Sequence, residues 1–347
     1  MDLFSSQKVL GAKYILLAGS KKIQNNVYLK SRLAMELGKL ISREDGWVLI
    51  NGGALNDNQT DTPEAIDYFG ALGAYKEVLK TGANAKEKIL TILPKDVSQH
   101  KFHNFGTVEQ VKKNTTALRR FEMVARADAI VTIEGGEGIE NILELGLSLN
   151  KVVLPIAATD GMSAKIFNEY EQEILQKFHL SKESNEYAAL SQEITDIEKS
   201  ATDYIKILKK ALLPECFVIM PYNKGLDHVF TDCVEKAIEA SGLKPVKADE
   251  NPSTGTVSYD IYSLIAAARF VISDITPINF QNNANVYYEL GLAHGLKKEV
   301  MIINQIDEEN NFLLDLPIDI NNRRIYGYRP DQLDKLFDDI YLILTRR

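Results

Sequence analysis

The feature that most restricts this chain is an alternation, kept up over most of its length, of short β-branched apolar runs with longer segments of helical period. A strand-like run over 14–18 leads to Leu29, Leu33, Leu37, Leu40 and Ile41 at helical spacing, then to a second strand-like run over 47–51. Apolar residues three and four apart mark one face of a helix, whereas a short continuous run marks a strand covered on both faces. The pattern goes on with a helical stretch over 63–79, a strand over 89–93 and a helix over 108–125. A strand over 129–133, a glycine turn with a helix, and a strand over 152–156 follow. Strands separated by helices pair by crossover, which makes the sheet parallel and covers both its faces. Residues 1–160 are therefore expected to form a doubly wound, Rossmann-like α/β domain.

Residues 161–213 change character: they are rich in Glu, Lys, Ser and Gln, with Ile166, Phe167, Tyr170, Ile174 and Phe178 on one helical stripe. They are expected to form a helical connector. Pro214 ends it, and a second alternation fills 214–347, with strands over 216–220, 243–246, 270–273 and 300–303 and helices over 259–267 and 285–296 and from 330. This alternation over about 130 residues suits a flavodoxin-like sheet of order 2-1-3-4-5. At 347 residues the chain has room for two such parallel-sheet domains.

Composition narrows the function. Apolar residues make up 45% and charged residues 25%, the profile of a globular protein. A net charge of −8 argues against a nucleic-acid partner, although a pocket for a small nucleotide needs only a local field. The two cysteines, Cys216 and Cys233, lie in structured segments with no metal-ligand spacing around them. No export signal or run of roughly 18 apolar residues is read, so a cytoplasmic protein without a membrane partner is expected.

In the second domain the strand order reverses between the first and third strands, and ligands bind outside their carboxyl ends. Those ends are Met220, Pro221, Tyr222 and Asn223, and Ser273, Asp274, Ile275 and Thr276. The next loop enters a helix through Asn285, Val286, Tyr287, Tyr288, Glu289, Leu290 and Gly291, so Asp274 and Glu289 are expected to meet at the crevice. Val286, Leu290 and Ala293 make the buried stripe, and Glu289 among them should be partly desolvated. Such a carboxylate suits glycosyl chemistry, because breaking an N-glycosidic bond develops positive charge on the ribose. The plain alternatives are a turn-capping Asp274 and a solvated Glu289. His294, five residues on, is turned away and reads as a packing or solvated histidine.

The runs FVIMPYNKGLDHVF, YDIYSLIAAARFVISDIT and NANVYYELGLAHGLKKEV resemble the TIR-like proteins related to nucleoside 2-deoxyribosyltransferases over most of 215–303. The resemblance implies Glu289 as the catalytic carboxylate and Asp274 as a residue that orients a sugar hydroxyl. It also implies Met220, Pro221, Tyr222, Asn223, Thr276 and Asn285 as the substrate-binding set.

In the first domain the crevice is expected between Gly19 and Ser20 and the run Glu134-Gly135-Gly136-Glu137-Gly138, with Gly52 and Gly53 on a third turn. Glycines let backbone N–H groups approach a phosphate, although any tight turn also uses them. LLAGS, INGGALND, LRRFEMVARADAIVTIEGGEGIENILE and VVLPI resemble the SLOG superfamily, which includes the LOG phosphoribohydrolases and the STALD branch, over about 12–157. Arg119 occupies the LOG arginine position. Glu134 stands in place of the motif's proline, Ile139 of its threonine and Ile142 of its catalytic glutamate. Binding rather than hydrolysis is implied, as for STALD domains of Thoeris anti-phage systems, which sense a cyclic ADP-ribose-type signal. Gly19, Ser20, Gly52, Gly53, Arg119, Arg120, Gly135, Gly136 and Gly138 form the implied signal site. A solvated helix face is the alternative for the two arginines.

Together the two resemblances imply a homo-oligomeric defence effector: the first domain senses a nucleotide signal, and the second hydrolyses NAD or a related nucleotide at its N-glycosyl bond. NAD enters as substrate, and no tightly bound cofactor is expected. The alternatives are a non-enzymatic nucleotide-binding scaffold and a housekeeping nucleoside or deoxynucleotide N-hydrolase.

Overall fold

A computed structural model describes residues 12–55, 64–95, 103, 105–112, 116–178, 185–247, 257–279, 281–306, 320 and 323–346, with backbone alone at 176–177 and 257–260. The chain divides into two compact units, 1–212 and 213–347.

The first unit is built on a six-stranded, all-parallel sheet of β1 (Lys13–Gly19), β2 (Trp47–Asn51), β3 (Ile89–Leu93), β4 (Thr107–Gln110), β5 (Ala129–Ile133) and β6 (Val152–Ile156), in the order β4-β3-β2-β1-β5-β6. Every residue of β2, β3, β5 and β6 is buried, as strands covered on both faces must be. The order reverses at the β1/β5 pair, which puts a crevice outside their carboxyl ends. The helix expected over 108–125 is instead β4 followed by a shorter α4. The polar stretch TVEQ is a strand through its pairing with β3, a non-local contact that local pattern does not encode.

The helices are α1 (Val27–Arg43), α2 (Ile66–Thr81), α3 (Ala85–Lys88), α4 (Thr116–Arg126) and α5 (Glu137–Ser148). A Cβ on Gly38 would collide with the Gly70 carbonyl, and one on Gly73 with that of Met35, so α1 and α2 cross backbone against backbone. The region of 161–213 folds as α6 (Gly161–Glu169), α7 (Glu171–Phe178), α8 (Asn185–Ser191) and α9 (Ile197–Ala211). Ile166, Phe167, Ile174, Phe178, Tyr204, Ile205 and Leu208 share one core with the sheet, so these helices pack as a layer of the first unit.

The second unit has β7 (Glu215–Ile219), β8 (Lys244–Lys247), β9 (Phe270–Asp274), β10 (Glu299–Gln305) and β11 (Ile325–Tyr328), all parallel, in the order β11-β10-β9-β7-β8. This is the 2-1-3-4-5 order that the sequence predicts. On one face lie α10 (Asp227–Val229), a π-helical turn over Phe230–Val234, α11 (Glu235–Ala240) and a C-terminal α14 (Leu333–Thr345). On the other lie α12 (Val257–Ala267) and α13 (Ala284–Gly295). Side chains alternate along β9: Phe270 and Ile272 enter the first core, Val271 the second. No helix of the described residues is long and apolar enough to cross a membrane.

Candidate functional sites

Glu289 sits in the second turn of α13, the helix that follows the carboxyl end of β9. Asn283 caps this helix, its side-chain oxygen accepting from the N–H groups of Asn285 and Val286 at 3.0 and 3.4 Å. Val286, Leu290 and Ala293 are buried and clamp the helix to the sheet. Glu289 is half-buried between them, and no cation or donor pairs with it among the described residues. Burial alone pushes its pKa up to about 7. The Ser273 and Tyr287 hydroxyls are likewise buried without hydrogen-bond partners among the described residues.

The two carboxylates expected to meet are not brought together. The period-2 alternation of β9 turns Asp274 to the face opposite α13. There its carboxylate accepts from the Thr276 hydroxyl, from the Thr276 N–H at 3.0 Å and from the Tyr328 hydroxyl at 2.7 Å. Burial raises the Asp274 pKa, against the pull of these donors, and also raises that of Tyr328, beside Asp274. Met220 and Pro221 are buried, and Thr276 is taken up by Asp274. Tyr222 is exposed, with the Lys247 ammonium 5.9 Å from its ring centre. Asn223 closes a turn onto the Gly225 N–H at 2.7 Å, and Asn285 is exposed. His294 lies at the opposite, amino edge of the strands, where a cavity of about 260 Å³ is lined by Lys298, Glu299, Arg323, Arg324 and Tyr326 among others.

In the first unit the Gly135 N–H donates to the Ser20 hydroxyl at 3.0 Å, tying the β5 loop to the end of β1. The missing Cβ of Gly19 faces Ile133 and Ile66, so close strand and helix packing uses that glycine. Gly136 opens α5 with no side-chain cap and with open space at its Cβ position. Beside it, Arg120 lies against Gly138 and donates to the Asn141 side chain at 2.8 Å. Glu134, with left-handed φ of 55°, is buried; its carboxylate takes the Lys30 ammonium at 2.7 Å and the Gln24 N–H at 3.2 Å. The crevice between β1 and β5 thus contains a buried ion pair, of which the sequence singles out neither Lys30 nor its partnership.

Around the second glycine turn a different set converges. The Gly52 N–H donates to Asp67 at 3.1 Å, and Arg119 donates to the Gly52 carbonyl at 3.1 Å. The Gly53 N–H donates to the Asn51 side chain at 2.8 Å, and the His103 N–H to the Gly53 carbonyl at 3.2 Å. Desolvation raises the Asp67 pKa to about 6 despite Arg119 nearby, and burial lowers that of Arg119. His103 is driven down to about 4 by burial and is neutral at pH 7. Asn51 Nδ2, Arg119 Nε and both His103 ring nitrogens are buried without hydrogen-bond partners among the described residues. An unpaired buried polar atom costs about 1–3 kcal/mol, so four in one place ask for an explanation. Asp67, Asn51 and His103 escape sequence reasoning because a loop, a helix start and a strand end bring them together only in three dimensions.

No protein-family profile and no curated protein matches this chain. Among solved structures, the molybdenum cofactor binding protein from the phototrophic bacterium Rippkaea orientalis is 17% identical over 58% of this chain and 99% of its own, with TM-score 0.38. The Moco carrier protein from Chlamydomonas reinhardtii is 18% identical over 57% and 99%, with TM-score 0.35. A 2-desoxiribosyltransferase from Leishmania mexicana is 14% identical over 36% and 97%, with TM-score 0.29. These are likenesses of fold alone.

Proposed function

We propose that the second unit cleaves the N-glycosidic bond of NAD or a related nucleotide with Glu289 as its catalytic carboxylate, and that the first unit binds a cyclic or ADP-ribose-type nucleotide that regulates it, as in a defence effector. The observation that carries this reading is the environment of Glu289: half-buried, unpaired among the described residues, and titrating near 7 at the carboxyl edge of a parallel sheet. A carboxylate poised there is a stronger base than one in water and pays little further desolvation when substrate covers it. As the C1′–N bond breaks, its electron pair leaves with the base; Glu289 forms a bond to C1′ or balances the cationic sugar. Water then adds to C1′, the carboxylate is released and the water's proton goes to solvent. The positive pyridinium of NAD favours the ionised form of Glu289 before the bond breaks. Asp274, fixed by Thr276 and Tyr328, serves as a positioning residue that holds the end of β9. Regulation requires the signal to bind one state of the protein better than the other.

The test is base release from NAD, and separately from deoxynucleosides, with and without cyclic and ADP-ribose-derived nucleotides, beside Glu289→Gln. Signal-dependent nicotinamide release that the variant lacks supports the proposal. No release from any substrate under any signal overturns it.

A further inference from the structure

We propose that the Gly52–Gly53 turn recognises the vicinal hydroxyls of a ribosyl ligand, with Asp67 as their acceptor and Arg119, Asn51 and His103 completing the site. The inference rests on the proposed nucleotide-binding role of the first unit and deepens it, assigning the sugar rather than the phosphate to this end of the crevice.

Three side chains, those of Asn51, Asp67 and Arg119, and the backbone N–H of His103 meet on two consecutive glycines. Gly52 is required there: a Cβ would lie 2.8 Å from Asp67 Oδ2 and 3.4 Å from Arg119 Nη1. The Arg119 charge is already matched by Asp67, so the pair is close to neutral and its carboxylate repels a phosphate. What a carboxylate beside free N–H donors does suit is a pair of adjacent hydroxyls. It accepts from both, while the hydroxyl oxygens accept in turn from Arg119 Nε and Asn51 Nδ2, buried donors without partners among the described residues.

Neutral His103, its ring beside the Asp67 backbone, adds an acceptor nitrogen, which a hydroxyl can use and a fully ionised phosphate cannot. Its ring is held by stacking on Phe105 at 5.2 Å between centroids and by an edge contact with Tyr68 at 6.3 Å. Phosphate falls to the other arm of the crevice, where the uncapped start of α5 at Gly136 lies near Arg120.

The groups facing Asp67 are Arg119 from α4, Lys21 from the loop after β1, and the Gly52 and Ala54 N–H groups, with the His103 ring at its backbone. Protonation of Asp67 removes an acceptor, so discrimination for the hydroxyls is present at pH 8 and fades as pH falls through about 6. His103 titrates lower, at about 4, and leaves that step to Asp67.

The experiment is calorimetric titration of the full-length protein at pH 8 and pH 5 with ADP-ribose, with its analogue lacking both 2′-hydroxyls, and with inorganic pyrophosphate. The expected result is about tenfold or greater preference for ADP-ribose over the analogue at pH 8, lost at pH 5 and lost in Asp67→Asn. The pH arm needs no variant and so does not depend on Asp67→Asn folding. Equal binding of ADP-ribose and the deoxy analogue at pH 8 overturns the inference while leaving nucleotide binding by the first unit intact. Failure of all three ligands to bind overturns the nucleotide-binding role and the inference with it.

Discussion

Replacing Glu289 by Gln should stabilise the second unit, and by an amount that depends on pH in a defined way. The folded carboxyl titrates near 7 against an ordinary value of 4.5, because the helix stripe around it withholds water and no cation among the described residues compensates. A pKa raised on folding contributes stability that is complete below 4.5 and lost as pH rises through 7. Fully expressed, the difference of 2.5 between those values corresponds to about 3 kcal/mol. Glu289 keeps part of its surface in water, and screening brings the expected gain of the neutral variant down to about 1–2 kcal/mol at pH 8. Below pH 4.5 the two proteins should be equally stable. Urea unfolding from pH 4 to 8.5, followed by far-UV circular dichroism, measures the difference. The single tryptophan, Trp47, is buried in the first unit and gives an internal control whose fluorescence transition should not move. A stability difference that stays flat with pH, or a variant less stable at pH 8, would refute the desolvation argument and with it the main support for Glu289 as the catalytic carboxylate.

Further changes probe other parts of the molecule. Lys30→Met leaves the Glu134 carboxylate buried without its cation and should cost about 3–5 kcal/mol in Trp47-monitored unfolding, most of it regained in the double variant Lys30→Met/Glu134→Gln. Tyr328→Phe takes one donor from the buried Asp274 carboxylate; about 1–3 kcal/mol of stability should be lost, and an unchanged urea midpoint would argue against that bond. Gly38→Ala places a methyl group on the Gly70 carbonyl, and a thermal midpoint lowered by several degrees is expected.

Much of the fold is legible because the central strands carry their own signal. The runs Trp47–Asn51, Ile89–Leu93, Ala129–Ile133 and Val152–Ile156 are almost wholly apolar and buried on both faces, as a covered parallel sheet requires. The edge strand Thr107–Gln110 carries no such signal, since one flank meets solvent and its partner β3 lies well before it in sequence. Spacing alone places Val286, Leu290 and Ala293 against the core and leaves Glu289 between them. Whether Asp274 faces that helix is a different matter: alternation gives it one of two faces, and only the tertiary arrangement says that α13 covers the other one. The Asp67, Arg119 and His103 set is further out of reach. Its members are 52 and 36 residues from Arg119 to Asp67 and from Asp67 to His103 along the chain, and no periodicity links them.

The crossing of α1 over α2 has a mechanical consequence. Where Gly38, Gly70 and Gly73 let two backbones touch, no side chains intervene to change rotamer and take up a displacement. The two helices should behave as one welded plate, and because α2 carries Asp67 in its first turn, that plate holds one wall of the crevice stationary. A ligand drawn in against Asp67 then does its work on what stands opposite, the Arg119 end of α4 and the glycine turn ahead of α5, which would make this half of the protein an anvil rather than a hinge.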